Sequence, residues 1–195
     1  MQDTETVLKL RDAASQMKLA IAHINDEETF RSCINAFLSA ARSVTMVLER
    51  ECKPLEMTDW YKRKTEILGK TPLFRFFNDQ RVYSIHLGVV QPVRKEHEVI
   101  SASFWYEQNE TGKQTLAASS EIRANHLSIN TRDIAAFSTD GMIWAWFFSE
   151  PQIHMPGDSG NVLRLCEDYY VCLKWFVEEW FRERHRRGNA DQIPM

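Results

Sequence analysis

Two long stretches near opposite ends of the chain repeat apolar residues at intervals typical of amphipathic helices. The first places them at alternating steps of four and three residues, at Phe30, Ile34, Phe37, Ala41, Val44 and Leu48. The second uses the same steps at Val162, Cys166, Tyr169, Leu173, Phe176 and Trp180. Such spacing puts apolar side chains along one face of an α-helix. We therefore predict that these two helices pair in the core of a helical bundle.

Residues that start and stop helices bound the other elements of the first half. An apolar periodicity over residues 4–24 predicts an N-terminal helix, and residues 25–28 supply a stop followed by an acidic helix start. Residues 52–54 contain a proline that ends the second helix. After it, Thr58 is expected to cap a short helix that stops at Gly69.

The next helix has clearly marked boundaries at both ends. Thr71 offers a capping hydroxyl, Pro72 suits the first helical turn, and Gly88 suits the C-terminal cap. The final helix of the chain is expected to begin near Asp158 or Ser159, where an Asp-Ser pair can cap it.

Between these helices the apolar and polar residues alternate, which is typical of strands. Residues 97–106 and 113–124 predict two strands, and residues 109–112 supply the turn of a hairpin. Residues 142–148 predict a third strand that is apolar on both faces, so it should be central or covered by helices. Residues 126–140 show no pattern that assigns an element.

Together the patterns predict an α+β fold class that is mainly helical. It would be an antiparallel helical bundle with a small antiparallel β-sheet inserted before the C-terminal helix. We expect a single domain over residues 1–195, because this length can bury one core. Its parts would be a helical part (1–90), a β-rich insertion (93–150) and a C-terminal helix (158–187) packing back on the bundle.

Positive charge is concentrated in one segment of a chain whose net charge is -3. Between residues 61 and 95 there are 8 Lys or Arg and 2 Asp or Glu. The basic residues are Lys62, Arg63, Lys64, Lys70, Arg75, Arg81, Arg94 and Lys95. A solvated helix face explains such a cluster, and an anionic partner such as nucleic acid is the alternative.

Other classes of chemistry find little support in the sequence. The 4 cysteines lack Cys-x-x-Cys spacing and are expected to be buried, reduced thiols. The 6 histidines lack the spacing of metal ligands on one helix, and no glycine-rich phosphate loop occurs, so we expect neither metal nor cofactor. The N-terminus has no targeting pattern and no apolar run approaches about 20 residues, so we expect a cytoplasmic protein without membrane contact.

The strongest chemical lead is the pair Arg81 and His86, which stands near the end of the helix that begins at Pro72. In this arrangement the chain resembles the HEPN superfamily of helical-bundle proteins, whose hallmark is an Arg followed by four to six residues and a His. The resemblance covers roughly residues 1–90. In this chain Val82 follows the Arg, where the family often has a polar residue.

The resemblance implies both an assembly and an activity. HEPN proteins commonly form homodimers with the motif helices facing each other, and many are metal-independent ribonucleases or toxins. Others are partners of nucleotidyltransferases, and some have lost catalysis. The resemblance therefore implies a metal-independent endoribonuclease that acts on RNA as a homodimer, with an antitoxin or a nucleotidyltransferase as a further partner.

Helical geometry favours a site shared between two chains. Residues five apart lie about 140° apart around a helix, so Arg81 and His86 do not share one face. Across a two-fold axis, each Arg81 could approach the His86 of the other protomer. One His86 would accept the 2′-hydroxyl proton, the other would protonate the leaving 5′-oxygen, and Arg81 would stabilise the phosphorane.

Two further groups of residues are candidates for auxiliary or RNA-contacting roles. The first lies within about a turn of the pair and comprises Asn78, Asp79, Tyr83 and Ser84. The second is the basic run Lys62, Arg63 and Lys64 of the preceding helix. Each could equally be an ordinary exposed helix residue.

Structural roles and a noncatalytic function remain as alternatives. His86 could simply favour the negative end of the helix dipole, and Arg81 could form an ion pair with Asp79 or with a residue on another helix. The second half of the chain is rich in tryptophan, which suits a noncatalytic dimeric HEPN-like interaction module with a partner-binding sheet. These tryptophans are Trp105, Trp144, Trp146, Trp175 and Trp180.

Overall fold

The protein is mainly helical, and small antiparallel sheets precede its last helix. The computed structural model describes residues 4–86, 88–98, 101–108, 114–121, 123–124, 127–128, 136–137, 142–149 and 160–190. Within these ranges the chain forms five α-helices, one short 3-10 helix and seven strands. The predicted α+β, mainly helical class is confirmed.

The helices have the following bounds. They are α1 (Glu5–Ala22), α2 (Glu27–Cys52), the 3-10 helix (Lys53–Leu55), α3 (Thr58–Gly69), α4 (Pro72–His86) and α5 (Val162–Ala190). The start of α1 contacts the end of α2, because the Thr6 hydroxyl donates a hydrogen bond of 2.7 Å to Glu51. The two helices therefore form an antiparallel hairpin.

Caps explain where the helices begin, and two of the predicted starts are wrong. The side chain of Thr71 accepts a hydrogen bond from the Phe74 backbone N–H, as predicted for α4. Thr58 is the first residue inside α3 and not its cap, because Met57 holds the cap position without a side-chain hydrogen bond. Helix α5 begins only at Val162, where the Asn161 side chain accepts a hydrogen bond of 3.1 Å from a backbone N–H. The pair predicted to cap it, at residues 158–159, lies outside the described residues.

The strands pair within the inserted region. Their bounds are β1 (Val93–Glu98), β2 (Ser101–Gln108), β3 (Gln114–Glu121), β4 (Arg123–Ala124), β5 (Leu127–Ser128), β6 (Ala136–Phe137) and β7 (Met142–Phe147). Strand β7 lies between β1 and β6 and is antiparallel to both, so its predicted central position is confirmed. Strands β2 and β3 form the predicted hairpin, whose turn at residues 109–113 lies outside the described residues.

The strand predicted over residues 97–106 is wrong as one element. Its first residues belong to β1, which pairs with β7, and the remainder belongs to β2, which pairs with β3. The strand predicted over residues 113–124 is likewise divided, because β4 pairs with β5 and not with β2. Alternating side chains indicate extended backbone but do not encode the partner strand, which lies far away in sequence.

The core joins α2 and α5 as their apolar repeats predicted. All the repeated apolar residues of both helices are buried, and both helices contribute to the same two apolar clusters. The sheet is attached to this core by Trp146, whose ring stacks on Phe30 with centroids 4.9 Å apart. The Trp146 indole N–H also donates a hydrogen bond of 2.9 Å to the Ile24 carbonyl oxygen.

The four cysteines are free thiols, as predicted. Cys33, Cys52 and Cys166 are buried, and Cys172 is half-buried. Burial is the main cause that raises the pKa of Cys52 to about 11, so this thiol is protonated at neutral pH. These thiols therefore act as small apolar side chains of the core.

Candidate functional site

Helix α4 carries the candidate residues, and its inner face is firmly packed. Phe76, Phe77 and Gln80 on this face are buried. Phe77 stacks on the ring of Tyr169 from α5, with centroids 4.2 Å apart and an interplanar angle of 3°. Stacked rings and apolar burial fix the rotation of α4 about its own axis. The outer residues of the helix are thereby held in a defined direction.

The end of α4 is fastened to α2 by one asparagine. Asn35 donates a hydrogen bond of 2.9 Å to the Val90 carbonyl and accepts one of 3.1 Å from the Val90 N–H. The Ser84 hydroxyl donates to the same Asn35 side chain at 3.4 Å. Gly88 has φ +150°, which favours glycine, and its N–H donates to the Tyr83 carbonyl at 3.1 Å. The predicted Gly88 cap is confirmed, and Ser84 has a structural role.

Arg81 is a half-buried cation without a carboxylate partner in the part of the chain that the structure describes. No ion pair joins it to Asp79 there, so the structural role considered for this pair is not observed. Burial raises the pKa of Tyr169 to about 12, and the charges of Arg42 and Arg81 oppose that rise. Arg81 therefore lies near Tyr169 of α5.

Position 86 is the last residue of α4. The side chain of His86 lies outside the described residues, so its placement relative to Arg81 stays a prediction. Val82, directly after Arg81, is 42% exposed.

The basic run of α3 divides into two kinds of residue. Lys62 and Arg63 are exposed. Lys64 instead forms an ion pair of 3.1 Å with Glu179 of α5, and its ammonium lies 5.4 Å from the centroid of the Trp175 ring. Lys64 therefore joins α3 to α5, whereas Lys62 and Arg63 remain open to solvent.

A cleft of about 470 Å³ opens beside α4, and two of the candidate residues line it. We call it the α2–α4 cleft, and its principal lining residues are Arg42, Thr45, Tyr61, Phe74, Arg75 and Asn78. Asp79 also lines it. Asn78 and Arg81 are three residues apart on α4, so the cleft lies about one helical turn from Arg81.

The α2–α4 cleft holds two guanidinium groups from different helices. Arg42 of α2 donates a hydrogen bond of 3.3 Å to the Thr45 hydroxyl, and Arg75 of α4 donates one of 3.0 Å from Nε to the Gly69 carbonyl. The Tyr61 hydroxyl donates to the Thr45 carbonyl at 3.0 Å. Burial raises the pKa of Tyr61 to about 12, so it is a neutral phenol at physiological pH.

The sequence patterns did not single out Arg42 or Tyr169 as site residues. For Arg42, its position beside the apolar stripe of α2 was a weak indication. Arg42 and Thr45 directly follow the buried Ala41 and Val44, so a polar pair three residues apart borders the apolar stripe of α2. Such a pair at the edge of a stripe can line a cleft. Tyr169 belongs to the apolar repeat of α5, and only the fold brings its hydroxyl near Arg81.

The five tryptophans considered for a partner surface differ in their exposure to solvent. Trp146 and Trp180 are buried in the core, and Trp175 is 45% exposed. The side chains of Trp105 and Trp144 lie outside the described residues. Of the three described, only Trp175 is available to a partner.

Comparisons with known proteins add no relative. No known protein family, curated protein or solved structure matches this chain. Among the described residues, no group of three or more His, Cys, Asp or Glu could hold a metal ion. The same part of the chain contains no helix whose length and apolar character would let it cross a membrane.

Proposed function

We propose that the chain is a HEPN-like, metal-independent endoribonuclease that works as a homodimer through α4. The observation that carries the proposal is Arg81, a half-buried cation with no ion-pair partner among the described residues, on a helix whose rotation and end are both fixed. A guanidinium that extends from a fixed helix can bind a phosphodiester and its charged transition state.

The surface beside Arg81 supports a dimer. Val82 is 42% exposed on α4, and Val89, just after the helix, is 54% exposed. A two-fold contact along this edge would remove both apolar side chains from water. It would also bring the two copies of Arg81 and position 86 together, which one helix alone cannot do because of the angle of about 140° between them.

In the proposed reaction the phosphoryl group of one RNA linkage moves from the 5′-oxygen to the neighbouring 2′-oxygen. One His86 accepts the 2′-hydroxyl proton, and this oxygen bonds to the adjacent phosphorus. The second His86 gives a proton to the 5′-oxygen as its bond to phosphorus breaks. The products are a 2′,3′-cyclic phosphate and a free 5′-hydroxyl. Arg81 stabilises the extra negative charge that develops on the phosphorane-like transition state.

Incubation of the purified protein with mixed RNA in the presence of a chelator tests the proposal. Wild type should cleave, and His86→Ala should lose about 10²–10⁴-fold in rate, because a general acid or base contributes that much. His23→Ala is the matched control, since His23 is exposed at the turn after α1 and should leave cleavage unchanged. No cleavage under any condition would overturn the enzyme and favour the noncatalytic dimeric interaction module.

A further inference from the structure

We propose that the α2–α4 cleft binds a small organic phosphate, with its phosphate group on Arg42 and Arg75 and its apolar body against Phe74. This site lies beside the Arg81 region but does not include Arg81 or His86, and it requires neither RNA cleavage nor a dimer. The cleft volume of about 470 Å³ falls within the range of about 300–1,000 Å³ that is typical of small-molecule sites.

Arg42 supplies the first reason to expect an anion. Its Nε atom is buried and has no hydrogen-bond partner in the described structure. Its Nη1 atom makes only a long hydrogen bond of 3.3 Å to Thr45. A buried N–H group of a cation that lacks an acceptor is costly, and an oxyanion bound in the cleft would supply acceptors to this guanidinium.

Arg75 supplies the second cation and explains why a dianion fits. Its Nε atom is tied to the Gly69 carbonyl at the end of α3, which orients the guanidinium and leaves its terminal N–H groups for a ligand. A phosphate monoester offers three acceptor oxygens to these two guanidiniums, whereas a carboxylate offers two. Asp79 lines the cleft as well and opposes an anion, so the lining keeps a net positive charge of one.

The remaining wall favours an organic ligand over free phosphate. Phe74 and Leu68 provide apolar surface, and Tyr61 presents a ring whose hydroxyl is already bound to Thr45. Asn78 adds an exposed amide at the rim. Apolar walls with a few fixed polar groups are typical of sites that bind small molecules by both shape and charge.

Isothermal titration calorimetry on the full chain at low ionic strength tests this site, with phenyl phosphate as the probe. Phenyl phosphate should bind at least about tenfold more tightly than phenol, benzoate or inorganic phosphate, because only phenyl phosphate uses both the guanidiniums and the apolar wall. Equal affinity for phenyl phosphate and phenol would overturn the phosphate assignment. Equal affinity for phenyl phosphate and inorganic phosphate would overturn the organic ligand.

Three substitutions separate binding from folding. Arg42→Gln and Arg75→Ala should each weaken phenyl phosphate binding about tenfold, and Asp79→Asn should strengthen it a few-fold by removing the opposing charge. Arg11→Ala, which removes an exposed arginine of α1 outside the cleft, should leave phenyl phosphate binding unchanged. Arg75 and Asp79 are exposed, so these two variants report even if Arg42→Gln fails to fold. Unchanged binding in Arg75→Ala would overturn the proposal.

The outcome is independent of the ribonuclease proposal. His86→Ala should bind phenyl phosphate as wild type does, because position 86 lies about two helical turns beyond Asp79 on α4. Binding of phenyl phosphate without RNA cleavage would overturn the ribonuclease proposal and support the cleft site. Cleavage without binding would do the reverse.

Discussion

At the scale of single residues, the fold assigns distinct tasks to polar groups that look alike in sequence. Ser84 and Asn35 fasten the end of α4, and Lys64 fastens α3 to α5. Arg81 lies about one helical turn before Ser84 on α4, yet it has no ion-pair partner among the described residues. Arg81 is a half-buried cation without a carboxylate partner in that part of the chain, and it is the residue from which we infer function.

Asn35→Ala should destabilise the protein by about 1–3 kcal/mol, because it leaves the partly buried Val90 N–H and carbonyl without their partner. Urea denaturation followed by circular dichroism measures this loss. Asn78→Ala is the control, since Asn78 is exposed on α4, and it should change the free energy of unfolding by less than about 0.5 kcal/mol. Equal stabilities of the two variants would show that Asn35 does not hold the end of α4.

At the scale of elements, the arginines near the end of α5 make structural contacts. Arg186 and Arg187 both donate hydrogen bonds to Glu183, and Arg187 also donates one of 3.0 Å to the Glu56 carbonyl. Arg182 pairs with Glu179 at 2.6 Å. These cations are bound to neighbouring groups, and positive charge in the last turns of a helix also complements its dipole.

The same ion pairs predict a dependence of stability on pH. Hydrogen bonds from Arg186 and then Arg187 lower the pKa of Glu183 from its ordinary 4.5 to about 2. A lowered pKa in the folded state means that the stabilisation is present above pH 4.5 and is lost as the pH falls towards 2. Glu183→Gln should therefore be less stable by about 0.5–1 kcal/mol at neutral pH, since solvent screens these pairs.

Thermal unfolding of wild type and Glu183→Gln across this pH range measures the effect. The two melting temperatures should converge as the pH approaches 2, because wild-type Glu183 is then protonated as well. Glu178→Gln is the control, because Glu178 contacts Arg182 only at 3.8 Å and should show a smaller difference. A difference between wild type and Glu183→Gln that does not shrink in acid would contradict the account.

Sequence patterns predicted the elements that depend on the spacing of neighbouring residues. They did not predict strand boundaries that depend on pairing with residues far away in sequence. The repeats of α2 and α5, the Thr71 cap and the Gly88 turn are written in neighbouring residues, and the structure confirms them. The division between β1 and β2 follows from pairing with β7 and β3, which periodicity does not carry. Arg42 was missed for the same reason, because its cleft exists only where three helices meet.

At the scale of the whole molecule, α4 lies at the surface of the bundle, with one face buried and the other exposed. Its inner face packs on α2 and α5, while Val82 and Val89 remain exposed along the edge beside Arg81. The sheet is joined to the bundle through Trp146 and leaves this edge uncovered among the described residues. A second copy of the chain is the partner that would both cover the edge and complete the proposed site.

The most direct test of the composite site is the position of the two His86 side chains in a crystal structure of the homodimer. We predict that both imidazoles lie in one cleft with both Arg81 guanidiniums. There they could reach opposite oxygens of a single phosphodiester within hydrogen-bond distance. Two His86 side chains that point into separate solvent, or a dimer that does not involve α4, would contradict it.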